Sequence, residues 1–291
     1  VRNAGAVDLQ IGEANIVTAG DRAMGIVAQS IGGGGGLLSV GSGAALRSHY
    51  IGGIDGNAGS VDIFTYTGVS IATAGDGSHG IVAQSVGGGG GIIGDFGAGK
   101  PVMATYDGAG AVDNRAGNGG AVSVSIEGPI TTTGRHAYGV IAQSVGSGGG
   151  LVGDGTTSIA GSQSSDVGQG TVNGAIEIMQ YAGATISTSG EDSTGIFAHG
   201  LASANSANIS ITVDGTVAGG TGEGVGIYMA GGSYGISAFP DNAIDIGLYG
   251  RVSAGSGTAI EYQSLYAGAR PPPPRPHAPR WRGWSTSARA P

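Results

Sequence analysis

The sequence contains no cysteine, which excludes disulfide staples and thiolate zinc sites but leaves the compartment open. Aromatic residues make up only 5% of the chain and charged residues only 11%. Any core must therefore be filled by Val, Ile, Leu, Ala and Thr, which suits a narrow core built of thin layers. No apolar run approaches the roughly 18 residues of a membrane-spanning helix. No segment combines helical amphipathic periodicity with capping residues, so helices are not expected. Initiator Met and signal peptide are both lacking, and Val1 falls in what reads as the middle of a repeat. The expectation is a mature fragment.

What is abundant is glycine, 64 of 291 residues, against an average usage of roughly 7%. Disorder is still not expected, because 40% of residues are hydrophobic and they fall at regular positions. The formal net charge of −8 is uneven. Residues 270–291 hold five Arg and no acid, which leaves residues 1–269 at −13. An acidic body excludes nucleic acid as a partner, since phosphate binding needs a basic stripe.

The chain repeats itself, and the repeat dictates the reading of the fold. Gly-Ile-Val-Ala-Gln-Ser occurs at 25–30, followed by Ile31 and five glycines, and again at 80–85, followed by Val86 and five glycines. A third copy, Gly-Val-Ile-Ala-Gln-Ser, spans 139–144 and runs into Val145-Gly146-Ser147-Gly148-Gly149-Gly150. Degenerate copies start at Gly195, Gly226 and Ala259. Two further segments precede each marker. The first alternates apolar and polar residues, as in Val7/Leu9/Ile11, Val122/Val124/Ile126 and Ile244/Ile246/Leu248, with Asp8, Asp62, Glu177 and Asp245 among the intervening outward positions. The second reads Ile/Val-x-Thr-x-Gly, at 16–20, 71–75, 130–134 and 186–190, with shortened versions at 217–220 and 252–255. A glycine shortly precedes each one, as a tight corner requires.

Each unit is thus three short strands joined by Gly corners in about 25 residues, and no strand can bury its face alone. That predicts an all-β, right-handed parallel β-helix of about six coils. Rungs would stack about 4.8 Å apart, giving a rod roughly 25–30 Å long. In the third strand Ile26, Ala28 and Ser30 point inward and Val27 and Gln29 outward. By the same register Ile81 is inward and Val82 outward, so Val82→Asp is expected to cost far less than Ile81→Asp. Ser30, Ser85 and Ser144 would form one ladder, and Thr18, Thr73, Thr132 and Thr188 another. The first three repeats carry insertions at about 31–60, 86–120 and 145–174. Their apolar residues alternate poorly, so Gly-rich loops are favoured over extra coils.

The tandem Gly-Ile-Val-Ala-Gln-Ser-(Ile/Val)-Gly-Gly-Gly-Gly-Gly copies at 25–36 and 80–91, with the variant at 139–150, resemble the passenger region of a Gram-negative autotransporter, the type V secretion family. The resemblance covers residues 1–268. It implies a β-helical passenger that does not itself span the membrane, translocated by a C-terminal β-barrel and displayed at the cell surface, outer-membrane-associated, or secreted. A barrel would need many alternating, aromatic-rich strands, and these are missing from this chain. Residues 269–291 instead form a Pro/Arg-rich tail containing Trp281 and Trp284. It reads as a linker or as a shifted reading frame, and the missing barrel favours the second.

No residue is singled out as catalytic, cofactor-binding or metal-binding, and no cofactor is expected. The oligoglycine tracts 32–36 and 87–91 lack the Gly-Lys-Ser/Thr of a phosphate loop and read as flexible turns. Residues 148–155 only faintly match a calcium nonapeptide, without a tandem array. His79 and His136 sit at similar corner positions and read as solvated residues rather than a metal pair. The expected function is a non-catalytic scaffold for adhesion or cell–cell aggregation, an adhesin whose partners would be host or bacterial surface glycans or proteins. The alternative is a carbohydrate-active β-helix enzyme, a polysaccharide lyase or hydrolase using outward carboxylates such as Asp8, Asp62, Glu177 and Asp245.

Overall fold

The computed structural model describes residues 3–39, 56–94, 101–104, 117–146, 149–153, 172–201, 207–231 and 242–263. The border at 268/269 and the Pro/Arg-rich tail lie outside them.

Alternation with period two requires extended backbone with one face out of water, and each repeat supplies three such segments. The first sheet stacks Val7–Ile11, Val61–Thr65, Val122–Ile126, Ile176–Gln180, Ile209–Val213 and Ala243–Ile246. The second stacks Ala14–Thr18, Val69–Thr73, Ile130–Thr132, Thr185–Thr188, Thr216–Gly219 and Arg251–Ala254. The third is built from the markers: Ile26–Ile31, Ile81–Val86, Val140–Val145, Ile196–Leu201, Ile227–Gly231 and Ile260–Gln263. Within these three sheets every pairing is parallel, and like repeat positions meet, for example Ile26 with Ile81 and Ile81 with Val140. The protein is a right-handed parallel β-helix of six coils.

Its inner core is one continuous cluster. Ile63, Ile71, Ile81, Val124, Ile130, Ile178, Ile186 and Ile211 are buried in it, and Ala28, Ala83, Ala142 and Ala198 fill the space between the sheets. The end coils are less covered, so Val7, Leu9, Ile11, Ile244, Val252 and Ile260 are only partly buried. One position departs from the alternation. Leu248 is 88% exposed, because the chain turns at Gly247, whose carbonyl accepts a hydrogen bond from Gly250 N.

The insertions do not begin as loops. Gly35–Ser39, Gly90–Gly94 and Gly149–Gly153 are strands of a fourth, parallel sheet, and Pro101–Ala104 adds to it antiparallel against Gly149–Gly153. After each of the first three markers the chain doubles back and covers the outside of the third sheet. The oligoglycine tracts are therefore turn and strand together, and the close stacking explains their composition. A Cβ on Gly91 would lie 2.0 Å from Gly36 O, and one on Gly150 1.8 Å from Gly91 O. Both residues also hold a positive φ, 135° and 147°, which side chains rarely adopt. The middles of the insertions, 40–55, 95–100, 105–116 and 154–171, lie outside the described residues.

This second layer corrects the assignment of Val82. Its side chain does point away from the inner core, but it is fully buried, in an outer cluster with Ile92, Ile141, Leu151, Tyr138 and Phe197. Ile81→Asp and Val82→Asp are thus both expected to unfold the neighbouring coils, because each buries an unpaired carboxylate. Val17, outward on the second sheet and 63% exposed, provides the contrast, with Val17→Asp expected to change stability by no more than about 0.5 kcal/mol. Chemical denaturation of the three variants measures this. In the same assay Gly91→Ala is expected to be more damaging than the usual penalty for replacing a glycine at positive φ, of order 1 kcal/mol, since backbone and not a movable side chain stands in the way.

Candidate functional site

The polar residues of the repeat can be followed one by one, and most are engaged in stacking. Ser30 Oγ donates to Gly5 O (2.7 Å) and accepts from Gly59 N of the next coil (2.8 Å). Ser85 repeats this with Gly59 O and Gly120 N, and Ser144 with Gly120 O and Gly174 N. Each hydroxyl therefore ties the start of its own coil to the start of the next. The threonine ladder acts chiefly within coils, though Thr188 Oγ1 also donates to Ala218 O of the next coil (3.0 Å). Thr73 Oγ1 donates to Ser78 O, Thr132 Oγ1 to Ala137 O (2.7 Å) and Thr188 Oγ1 to Ser193 O (3.3 Å), closing the corner before the marker.

A third ladder was not anticipated from sequence. Asn3 Oδ1 accepts from Asn57 N (2.9 Å), Asn57 Oδ1 from Asn118 N (2.9 Å) and Asn118 Oδ1 from Val172 N (3.0 Å). Its signal was present, since an Asn precedes the first strand of each of the first three coils by the same four residues.

The marker glutamines form a fourth, buried ladder. Gln29 Nε2 donates to Gln84 Oε1 (2.8 Å), Gln84 Nε2 to Gln143 Oε1, and Gln143 Nε2 to His199 Nδ1 (2.7 Å). Gln84 and Gln143 also donate to the fourth sheet, at Gly91 O (3.3 Å) and Gly150 O (3.0 Å). An amide suits this place because it both donates and accepts, so like can stack on like. His199 ends the row as the acceptor, which puts its ring proton on Nε2. Burial pushes its pKa down to about 3.

The histidines expected to be solvated are not. His79 is fully buried and His136 nearly so, His79 beside Tyr138 and His136 beside Asp192 of the next coil. Nor do they share a position. His79 aligns with Tyr138, whose backbone N donates to His79 Nδ1 (3.1 Å), and the two rings lie 5.6 Å apart. His136 occupies the left-handed corner (φ 54°), with its Nε2 3.8 Å from Asp192 Oδ2. Burial, reinforced by the charge of nearby His136, pushes the His79 pKa down to about 3. Beside them Tyr138, Phe197 and Tyr228 form an aromatic row with centroids 5.9 and 5.4 Å apart.

The outward carboxylates fall in two columns. Asp8 pairs with Asp62, Asp62 with Ser123, and Ser123 with Glu177. Asp245 is not in that column, because it pairs with Thr212 in the next one. The four carboxylates are therefore spread along the rod, and only Asp8 and Asp62 are neighbours. Among the described residues, no group of three or more His, Asp or Glu side chains could hold a metal ion. Of residues 148–155, Gly149–Gly153 is a strand of the fourth sheet, and the remainder lies outside the described residues.

The two depressed histidines set a pH dependence. An unfolded histidine titrates near 6.5, while folded His79 and His199 stay neutral down to about 3. Between these values the unfolded state binds more protons, so each histidine costs stability as pH falls, by about 1.4 kcal/mol per pH unit. Above 6.5 neither contributes, and below 3 the loss levels off. Urea midpoints measured from pH 7 to pH 3.5 should decline steadily. His199→Gln, which continues the amide ladder, should make that decline shallower.

No protein-family model matches the chain, and neither a curated protein nor a solved structure gives a match.

Proposed function

We propose that the protein is a non-catalytic scaffold, a rigid rod that presents its outer faces for adhesion or cell–cell aggregation at a bacterial surface or after secretion. One observation carries this reading. The Ser, Asn, Gln and His side chains that could do chemistry are used to hold coil to coil and the Thr hydroxyls to close corners, while the outward carboxylates are spread along the rod. The motif resemblance to autotransporter passengers points the same way. No helix of the described residues is long and apolar enough to cross a membrane, which leaves barrels untouched.

A carbohydrate-active enzyme is the second reading, favoured by the adjacency of Asp8 and Asp62, whose backbones stack one rung apart. Retaining glycosidases use two carboxyl groups about 5 Å apart, a separation that neighbouring rungs about 4.8 Å apart permit.

Beads coated with the purified protein are expected to aggregate with bacterial or host cells, while the protein leaves acidic and neutral polysaccharides uncut. Cleavage abolished by one substitution, such as Asp62→Asn or Glu177→Gln, would establish the enzyme instead. The fourth sheet limits what can be removed from the insertions. Deleting one whole would strip the cover from Val82 and Gln84, so a shortened chain that keeps the fold must retain Gly35–Ser39, Gly90–Gly94 and Gly149–Gly153. Replacing only 154–171 with a short linker is expected to preserve the β-rich spectrum, because loop-closure entropy changes slowly with length.

A further inference from the structure

The corner between the first and second strands alternates along the rod. In the second, fourth and sixth coils it is a four-residue turn, closed by Val69 N to Tyr66 O (2.9 Å), Ala184 N to Tyr181 O (3.1 Å) and Gly250 N to Gly247 O (3.0 Å). In the third and fifth coils acids occupy the aligned position. Glu127 N donates to Thr65 O, Tyr181 N to Ile126 O and Asp214 N to Gln180 O. Tyr66, Glu127, Tyr181 and Asp214 thus follow one another up one edge of the first sheet, about 4.8 Å per step.

Phe64 joins the tyrosines into a platform. Its ring centroid lies 4.5 Å from that of Tyr66 and 6.2 Å from that of Tyr181, and the small Ser125 on the intervening coil leaves room for the contact. Tyr66 is 41% exposed. Asp62 and Glu177 stand beside this platform, in the neighbouring outward column of the same sheet. Glu127 Oε2 accepts from Thr67 N (3.1 Å), which fixes that carboxylate at the edge. Among the described residues no Lys, Arg or His forms an ion pair with Asp62, Glu127 or Glu177.

We propose that this edge binds a cationic amino-sugar polymer, a 1,4-linked chain of pyranose rings carrying free amines, laid along the rod axis. The proposal rests on the adhesive-rod reading and names its ligand. The C–H faces of pyranose rings pack on exposed aromatic rings, and an ammonium is attracted both to those rings and to the carboxylates. Tyr66 and Tyr181 are two rungs apart, about 9.6 Å, which is close to the two-sugar repeat of an extended 1,4-linked chain. Alternate sugars can therefore meet a ring while the sugar between them meets Glu127. Charge sets the class, because residues 1–269 carry −13 and repel uronate or sulfated glycans. Repetition along the polymer turns weak single contacts into retention.

The test uses the purified chain on surfaces coated with chitosan, fully acetylated chitin, polygalacturonate or polylysine. Retention on chitosan, weakened by salt, is expected, with little on the other three. Tyr66→Ala/Tyr181→Ala and, separately, Asp62→Asn/Glu127→Gln/Glu177→Gln should each lower chitosan affinity about tenfold or more. All five positions are exposed or half-buried, and unchanged β-spectra and melting temperatures verify the fold. If one set fails to fold, the other decides. Equal chitosan affinity in a folded variant set, or equal retention on chitin or polylysine, would overturn the proposal. The bead assay separates the two readings. Aggregation undiminished by the tyrosine variant leaves the adhesive rod standing without this ligand, whereas chitosan retention without any aggregation does the reverse.

Discussion

Parallel, in-register stacking places each repeat residue directly against its own copy, about 4.8 Å away, and the rest of the structure follows from what can tolerate such company. Ile on Ile and Ala on Ala lose only water, so the inner core grows without limit along the axis. Amides and hydroxyls both donate and accept, so glutamine and serine can repeat from coil to coil with every hydrogen bond satisfied. Carboxylates repeat less freely, because like charges one rung apart repel, and of the four outward ones in the first sheet only Asp8 and Asp62 stack directly. Asp62 and Glu177 are accordingly separated by Ser123, and at the corner Glu127 and Asp214 alternate with tyrosines. Where Asp21 and Asp76 do stack, the carboxylate of one accepts the backbone N–H of the other.

The same constraint accounts for the glycine content. A strand that doubles back over the third sheet must bring its backbone within hydrogen-bonding distance of the glutamine amides, and any Cβ there would meet the carbonyl of the coil next to it. Glycine is therefore the partner that makes a buried outward glutamine satisfiable; His199 and Ala230 take that place in the fourth and fifth coils, and Gln263 of the sixth is exposed. In the fourth coil His199 and Gly200 replace Gln-Ser, and no described strand of that coil joins the fourth sheet. Pro101–Ala104 pairs antiparallel against Gly149–Gly153 instead, with a proline at its first residue, a position strands accept because no ladder donor is required there.

A rod of this kind separates stability from recognition. Interior and ladder residues are committed to neighbours above and below, so function falls to columns that stacking leaves free. The Tyr66 edge is one such column, and its alternation of ring and carboxylate follows from the avoidance of adjacent charges as much as from any ligand.

Sequence alone determined the three-strand unit, its corners, the coil-to-coil register and the identity of the inner core. Period-two alternation sets which side faces inward, and the recurrence of Gly-Ile-Val-Ala-Gln-Ser sets which residues meet, as Ile26, Ile81 and Val140 do. The serine and threonine ladders were legible for the same reason. Only the tertiary structure decided what happens outside the first wall. Val82 and Gln84 alternate as solvent-facing residues should, yet they are fully buried, and His79 and His136 lie in the interior rather than at a wet corner. Local periodicity records the direction in which a side chain points but not what later folds over it. That cover comes from glycine-rich strands whose own pattern carries no alternation, so their placement arises from packing against the finished third sheet.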